Sequence, residues 1–105
     1  MAKANAFILK ATGEVNQHYQ EHEPTLELLQ KTVGGNIEIL HVPLTTATAA
    51  GMLCHHEHTP EMAQLIINEN GRLIGDLKVN VAASYIAGQE IVGTAILLTG
   101  EALCT

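Results

Sequence analysis

The sequence predicts an α+β fold, with a mixed or mainly antiparallel sheet and two helices packed on it. Three local signals carry this prediction: a helix over residues 24–33 that stops at Gly34-Gly35, an Asn70-Gly71 hairpin turn, and a second helix over residues 77–87. The strands outnumber the helices and do not alternate with them strictly, which favours α+β over a doubly wound parallel sheet. The predicted element order is β-β-α-β-β-β-α-β.

The first two strands are predicted as a hairpin. Residues 6–11 (AFILKA) are β-prone, and the turn signal Thr12-Gly13 follows them. Val15, Gln17 and Tyr19 then alternate with polar residues, which is a weak period-2 pattern. We therefore expect the second strand to lie near an edge of the sheet.

The helix over residues 24–33 is predicted from the spacing of its apolar residues and from the residues at its two ends. Leu26, Leu29 and Val33 recur at helical spacing and define the expected apolar stripe. Pro24 suits the first turn, where its missing N–H has no partner to lose. Gly34 suits a left-handed C-cap, so the helix is expected to end there.

The middle of the chain is predicted to be mostly strand. Residues 37–42 (IEILHV) form a strand that ends at Pro43, and residues 62–68 (MAQLIIN) form the next one. The His-rich stretch of about 45–61 has no clean period and is expected to be a loop, with a helical turn near 46–52. Asn70-Gly71 predicts a hairpin, because both residues tolerate positive φ. This turn would place Glu69 opposite Arg72 on the next strand.

The last two predicted elements are a helix and a strand. Asp76 is a preferred N-cap residue for the helix 77–87, and Gly88 is expected to end it. The apolar face of this helix should comprise Val79, Ala82, Ala83 and Ile86. Residues 90–98 are almost continuously apolar after Glu90, which predicts a central strand of the sheet.

Composition and charge restrict the class of protein. The 105 residues are predicted to form a single α+β domain, 1–105, with a core supplied by 47% hydrophobic residues. The formal charge is −6 and the five basic residues are scattered, so we expect no direct binding to nucleic acid. A basic protein partner is easier to reconcile with this charge. The simpler alternative is that the charge only keeps the domain soluble.

The expected cellular location depends on whether the sequence contains a signal peptide or a membrane span. No signal peptide and no apolar stretch long enough to span a membrane are recognisable, so we expect no membrane partner and a cytoplasmic protein. Cys54 and Cys104 share no motif, and free thiols in a reducing compartment are expected.

The candidate metal ligands are Cys54, His56 and His58, with His41 as a possible neighbour. In an extended segment these three alternate residues share one side, and Cys and His are both zinc ligands. The spacing is not a known structural zinc signature. A solvated polar loop whose histidines titrate near neutral pH is the alternative. No cofactor is otherwise expected.

Nucleophilic catalysis is not supported by the sequence. Ser84 lies within the second predicted helix and lacks the Gly-x-Ser-x-Gly turn that exposes a nucleophile. Cys54 has His55 and His56 beside it, but immediate neighbours seldom have the geometry of a nucleophile and its base. The sequence therefore leaves enzymatic activity open and favours a protein without it.

Three stretches resemble a known family. They are TLELLQKTVGGNIEIL, LIINENGRLIGDLKVNVAAS and IVGTAILLTG, and they cover most of residues 25–100. The middle stretch, with Asn80 and Ala83 in its helix, is the most specific. The family is the domain of unknown function 3846, which is found in phages, plasmids and their bacterial hosts. The resemblance implies a fold and a setting on mobile elements, and it brings no catalytic residue or cofactor.

The leading functional hypothesis is a small non-enzymatic accessory protein of a phage or mobile element that binds another protein. One alternative is a small-molecule or nucleotide-binding module that is oligomeric. A further alternative is a metal-binding protein or metal-dependent enzyme that uses the loop from Cys54 to His58. Exposed sheet edges make a homo-oligomer plausible, because an unpaired edge strand is a template for another chain.

Overall fold

The computed structural model describes residues 5–43, 62–73 and 77–99. The strands within these ranges are β1 (Ala6–Leu9), β2 (Val15–His18), β3 (Ile37–Pro43), β4 (Met62–Asn68) and β5 (Ala95–Leu98). The helices are α1 (Leu26–Val33) and α2 (Val81–Ala87), and a short 3-10 helix spans Gly71–Leu73.

The strands form one antiparallel sheet in the order β2-β1-β5-β4-β3. The predicted α+β class, with a mainly antiparallel sheet and two helices, is confirmed. β5 is the central strand and β2 is an edge strand, as the sequence predicts. The connection through α1 runs from one edge of the sheet to the other, since β2 and β3 are the two outermost strands.

The sheet is covered by one helix on each face, because alternate residues of each strand point to opposite sides. One core cluster joins α2 to the sheet and includes Phe7, Leu65, Ala83, Ile86 and Leu97. The other joins α1 to the opposite face and includes Ala6, Leu29, Val33, Ile66 and Ile96. The central strand supplies both clusters, so all four of its residues are buried.

The first hairpin is confirmed, and its turn explains its register. The Lys10 N–H donates to the Glu14 carbonyl at 2.9 Å, and the Gly13 N–H donates to the Lys10 carbonyl at 2.9 Å. Gly13 has φ +97°, a conformation that favours glycine. The exposed Lys10–Glu14 ion pair, at 3.3 Å, adds little to stability.

Helix α1 is confirmed, with a later start than predicted. It begins at Leu26, because the Thr25 side chain caps it by accepting from the Leu28 N–H at 3.2 Å. Pro24 therefore precedes the helix. Leu26 is 57% exposed, so only the Leu29–Val33 part of the predicted stripe is buried. Gly34 is the left-handed cap, with φ +88°.

Helix α2 corrects the predicted range of 77–87. It begins at Val81, and its N-cap is Asn80 in place of the predicted Asp76, which lies outside the described residues. Val79 is part of an extended bridge to Val92 and is 46% exposed, so it does not belong to the helical face. Pairing with Val92 holds this segment extended up to the cap.

The predicted strand after Asn70-Gly71 is wrong at residues 71–73, which form the 3-10 helix. The Asn68 side chain accepts from the Asn70 N–H at 2.8 Å, and the Leu73 N–H donates to the Asn70 carbonyl at 2.9 Å. These local bonds compete with a tight hairpin. The Arg72 side chain of the predicted Glu69–Arg72 pair lies outside the described residues.

The last strand is shorter than the predicted range of 90–98. It begins at Ala95, and Gly93 interrupts the extended backbone before it, with φ +78°. The helical turn predicted near 46–52 lies outside the described residues, as does the rest of the His-rich loop.

Asn80 ties three parts of the fold together. It is fully buried, and its Nδ2 donates to the carbonyls of Leu9 and Gly93, each at 2.8 Å. Its Oδ1 accepts from the Ala83 N–H at 3.1 Å, which caps α2. One side chain therefore links the end of β1, the segment before β5 and the start of α2.

We predict that Asn80→Ala lowers the free energy of unfolding by about 3 kcal/mol, because it removes a cap and leaves two buried carbonyls without their donor. Asn80→Asp keeps the cap acceptor but cannot donate to either carbonyl, so it should destabilise at least as much. Urea unfolding followed by circular dichroism measures both. The exposed Asn36→Ala serves as control, with an expected change within about 0.5 kcal/mol. Equal stability of Asn80→Ala and the unmodified protein would contradict the role of Asn80.

Candidate functional site: an acidic groove

A groove of about 260 Å³ opens at the end of the sheet where β4 stops. We name it the acidic groove. Its lining comes from three parts of the chain: Glu38 on β3, the segment from Ile67 to Gly71 with Leu73, and the segment from Gln89 to Val92. The groove therefore depends on how the end of β4 packs against the chain that follows α2.

The β4 side of the acidic groove is held by Asn68. The Asn68 Nδ2 donates to the Val33 carbonyl at the end of α1, at 3.2 Å. Its Oδ1 accepts from the Asn70 N–H at 2.8 Å, which turns the chain away from the strand. A Cβ on Gly71 would lie 3.2 Å from Val92 Cγ2, so glycine allows the two sides of the groove to approach closely.

The opposite side is held by the end of α2. The Ser84 hydroxyl accepts from the Ile91 N–H at 2.8 Å and donates to the Ile91 carbonyl at 3.2 Å. Gly88 ends the helix in the left-handed conformation, and Gln89 and Glu90 then line the groove. Ser84 thus has a structural role in the position of this segment.

Carboxylates lie on all three parts of the groove lining. Glu38, Glu69 and Glu90 are all exposed. The charged lining residues that the structure describes are these three glutamates, and the side chain of Arg72, in the same segment, lies outside the described residues. Within the described ranges, no group of three or more His, Cys, Asp or Glu side chains could hold a metal ion. Carboxylates at a surface groove attract cationic groups.

Large apolar side chains are exposed in the groove and on α2, the helix that leads to it. Leu73 lines the groove and is 82% exposed. Val81 and Tyr85, one helical turn apart on α2, are 77% and 59% exposed. Tyr85 lies in the last turn of α2, four residues before Gln89, which lines the groove. Apolar side chains left in water beside a charged groove are typical of a protein-binding surface.

A second, more apolar cavity of about 190 Å³ lies between α1 and the sheet. Its lining includes Ile8, Leu28, Leu29 and Leu98, with His18 as the titratable side chain. No hydrogen-bonding arrangement in it distinguishes a ligand class. It lies next to the core cluster that joins α1 to the sheet.

The predicted metal ligands Cys54, His56 and His58 lie outside the described residues, so the zinc hypothesis stays a prediction. Their possible neighbour His41 is exposed on β3. Ser84 is described, and its hydroxyl is engaged with Ile91 as given above.

The sequence analysis missed the acidic groove, whose parts are distant along the chain. Glu38 lies on β3, Glu69 follows β4 and Glu90 follows α2. No motif spacing predicts that they line one groove. Asn80 could have been found, since asparagine is a preferred N-cap residue and the helical pattern runs on from Val81.

Comparison of the chain with protein-family models, curated proteins and solved structures gave no match. Neither helix in the described part of the chain is long and apolar enough to cross a membrane.

We predict that Asn68→Ala lowers the free energy of unfolding by about 1–2 kcal/mol, because the side chain bonds both the end of α1 and the Asn70 N–H. Hydrogen exchange at Asn70 should become faster than in the unmodified protein. The exposed Gln17→Ala is the control for both measurements. Unchanged exchange at Asn70 would show that Asn68 does not hold the groove.

Proposed function

We propose that this chain is a small non-enzymatic protein-binding module, whose binding surface is the acidic groove with Leu73, Val81 and Tyr85. The observation that carries the proposal is the exposure of Leu73 in a groove lined by carboxylates, together with the exposure of Val81 and Tyr85 on the helix that leads to the groove. The setting on a phage or mobile element is part of the proposal and is supported by the sequence resemblance alone.

The apolar side chains favour a protein as the partner. Tyrosine is enriched at interfaces, because it supplies a large contact area and a hydroxyl with few rotatable bonds. Exposed Val81 and Leu73 would lose contact with water in a complex, which stabilises association. In the proposed complex these apolar side chains contact the partner, and the carboxylates lie at the rim of the interface.

The carboxylates favour a partner segment with lysine or arginine. Negative charge at the groove attracts such a segment and raises its association rate at low salt. The same charge repels phosphate groups, so it weighs against a nucleotide in this groove. The nucleotide-binding alternative would need a different site on the molecule.

We expect a photo-cross-linking amino acid at Tyr85 to capture one protein from a bacterial host lysate, because Tyr85 lies at the proposed contact. The same amino acid at Tyr19 is the matched control, since Tyr19 is also exposed (45%) but follows β2 at the far edge of the sheet. Mass spectrometry identifies the captured protein.

The captured protein is then bound to two charge variants of this chain. Glu38→Gln with Glu69→Gln should weaken its affinity by about tenfold or more, since the variant removes two charges near the contact. Glu21→Gln with Glu27→Gln changes the net charge equally and should leave the affinity nearly unchanged. Equal capture from Tyr19 and Tyr85, or equal weakening by both charge variants, would overturn the proposal.

A further inference from the structure

The two edges of the sheet differ in length and composition. β2 has four residues, of which Gln17 and His18 are exposed polar ones. β3 has seven residues, mostly apolar, and Ile37, Ile39 and Leu40 are only partly buried. A long apolar edge strand is a template for pairing with another strand, whereas a short polar one is protected from it.

The register shows which backbone groups of β3 point away from the sheet. The Glu69 N–H donates to the Asn36 carbonyl at 2.8 Å, and these residues lie opposite each other in the continued β3–β4 register. Hydrogen-bonded pairs alternate along an antiparallel ladder, so Glu38 and Leu40 also bond to β4. The N–H and C=O groups of Ile37, Ile39 and His41 therefore point outward. No described strand pairs with that side of β3.

We propose that β3 pairs antiparallel with β3 of a second copy of this chain, in a register centred on Leu40. This register brings outward groups together, since Ile39 lies opposite His41 of the second copy and each pair exchanges two hydrogen bonds. Each Ile37 N–H also meets the carbonyl of Pro43 of the second copy, which gives about six bonds in all. The missing N–H of proline costs little at this terminal position.

The side chains are compatible with this two-fold pairing. Opposed residues of an antiparallel ladder lie on the same face, so Leu40 meets Leu40 of the second copy on the α2 side. Glu38 lies opposite Val42 of the second copy, and no carboxylate on β3 faces another. A register shifted by two residues is centred on Ile39 and pairs only residues 37–41 of β3 with one another. A register shifted by four residues, centred on Glu38, would oppose two like charges and is disfavoured.

The occupant is a second copy and not an unrelated strand because the edge is self-complementary. The Leu40-centred register uses all seven residues of β3, and it continues the two core clusters across the junction through Ile39 and Leu40. It also joins two five-stranded sheets into one. Each Glu38, and with it each acidic groove, then lies beside the two-fold axis. The inference stands independently of the proposed partner-binding function.

Sedimentation velocity of the full chain should show a dimer at micromolar concentrations. His41→Pro should raise the dissociation constant about 30-fold or more, because it removes two inter-chain hydrogen bonds, one per copy, of about 1 kcal/mol each. The exposed His41 side chain and its outward N–H make no described bond within the chain, so the fold should be kept. Circular dichroism checks this.

Gln17→Pro is the matched control on the other edge. The Lys10–Glu14 bond sets the same alternation on β2, so the Gln17 N–H also points outward. Gln17→Pro should leave the dissociation constant unchanged. A monomeric unmodified protein would overturn the inference, as would a dimer that His41→Pro leaves intact.

Disulfide cross-linking tests the register and does not depend on the proline variants. In a background with Cys54→Ser and Cys104→Ser, Leu40→Cys should form a disulfide-linked dimer under mild oxidation, because the two Leu40 positions are directly opposed. Glu38→Cys lies on the same face but should not cross-link, since two Glu38 positions are four residues out of register. Equal cross-linking of both variants would contradict this register.

Discussion

The fold depends on the hydrogen bonds of Asn80. Its side chain is fully buried and satisfies two carbonyls and one helical N–H, so it replaces water at three separate parts of the backbone. An unpaired carbonyl in the core would cost a large share of the stability of a small domain. Since α2 starts at this residue, the position of the helix and of everything after it is linked to β1.

Other buried asparagines act in the same way at the margins of the sheet. Asn5 exchanges two hydrogen bonds with the backbone of Gln20, each at 2.8 Å, and continues the β1–β2 ladder beyond the strands. Asn68 joins the end of α1 to the turn after β4. No buried side-chain polar atom in the described part of the chain lacks a hydrogen-bond partner. Aliphatic side chains form the core, and the hydrogen bonds of the buried amide side chains fix how the strands and helices around it are placed.

The acidic groove is a consequence of these connections. Asn68 directs the chain away from β4, and Ser84 holds Ile91 against α2, so the two segments meet where Gly71 approaches Val92. The polar and apolar side chains that they carry are then left at the surface. The proposed partner binding and the proposed pairing of β3 share Glu38, which lies both in the groove and on the edge strand.

The sequence by itself determined the fold class, both helix stops and the central position of β5, because these depend on local periodicity and on glycine conformation. Gly34 and Gly88 end helices wherever the rest of the chain lies. Tertiary structure decided what depends on distant partners. The 3-10 turn at Gly71–Leu73 follows from the side chain of Asn68, and the late start of α2 follows from the bridge to Val92 and from Asn80. The acidic groove likewise joins residues far apart in the chain, and no local pattern contains that information.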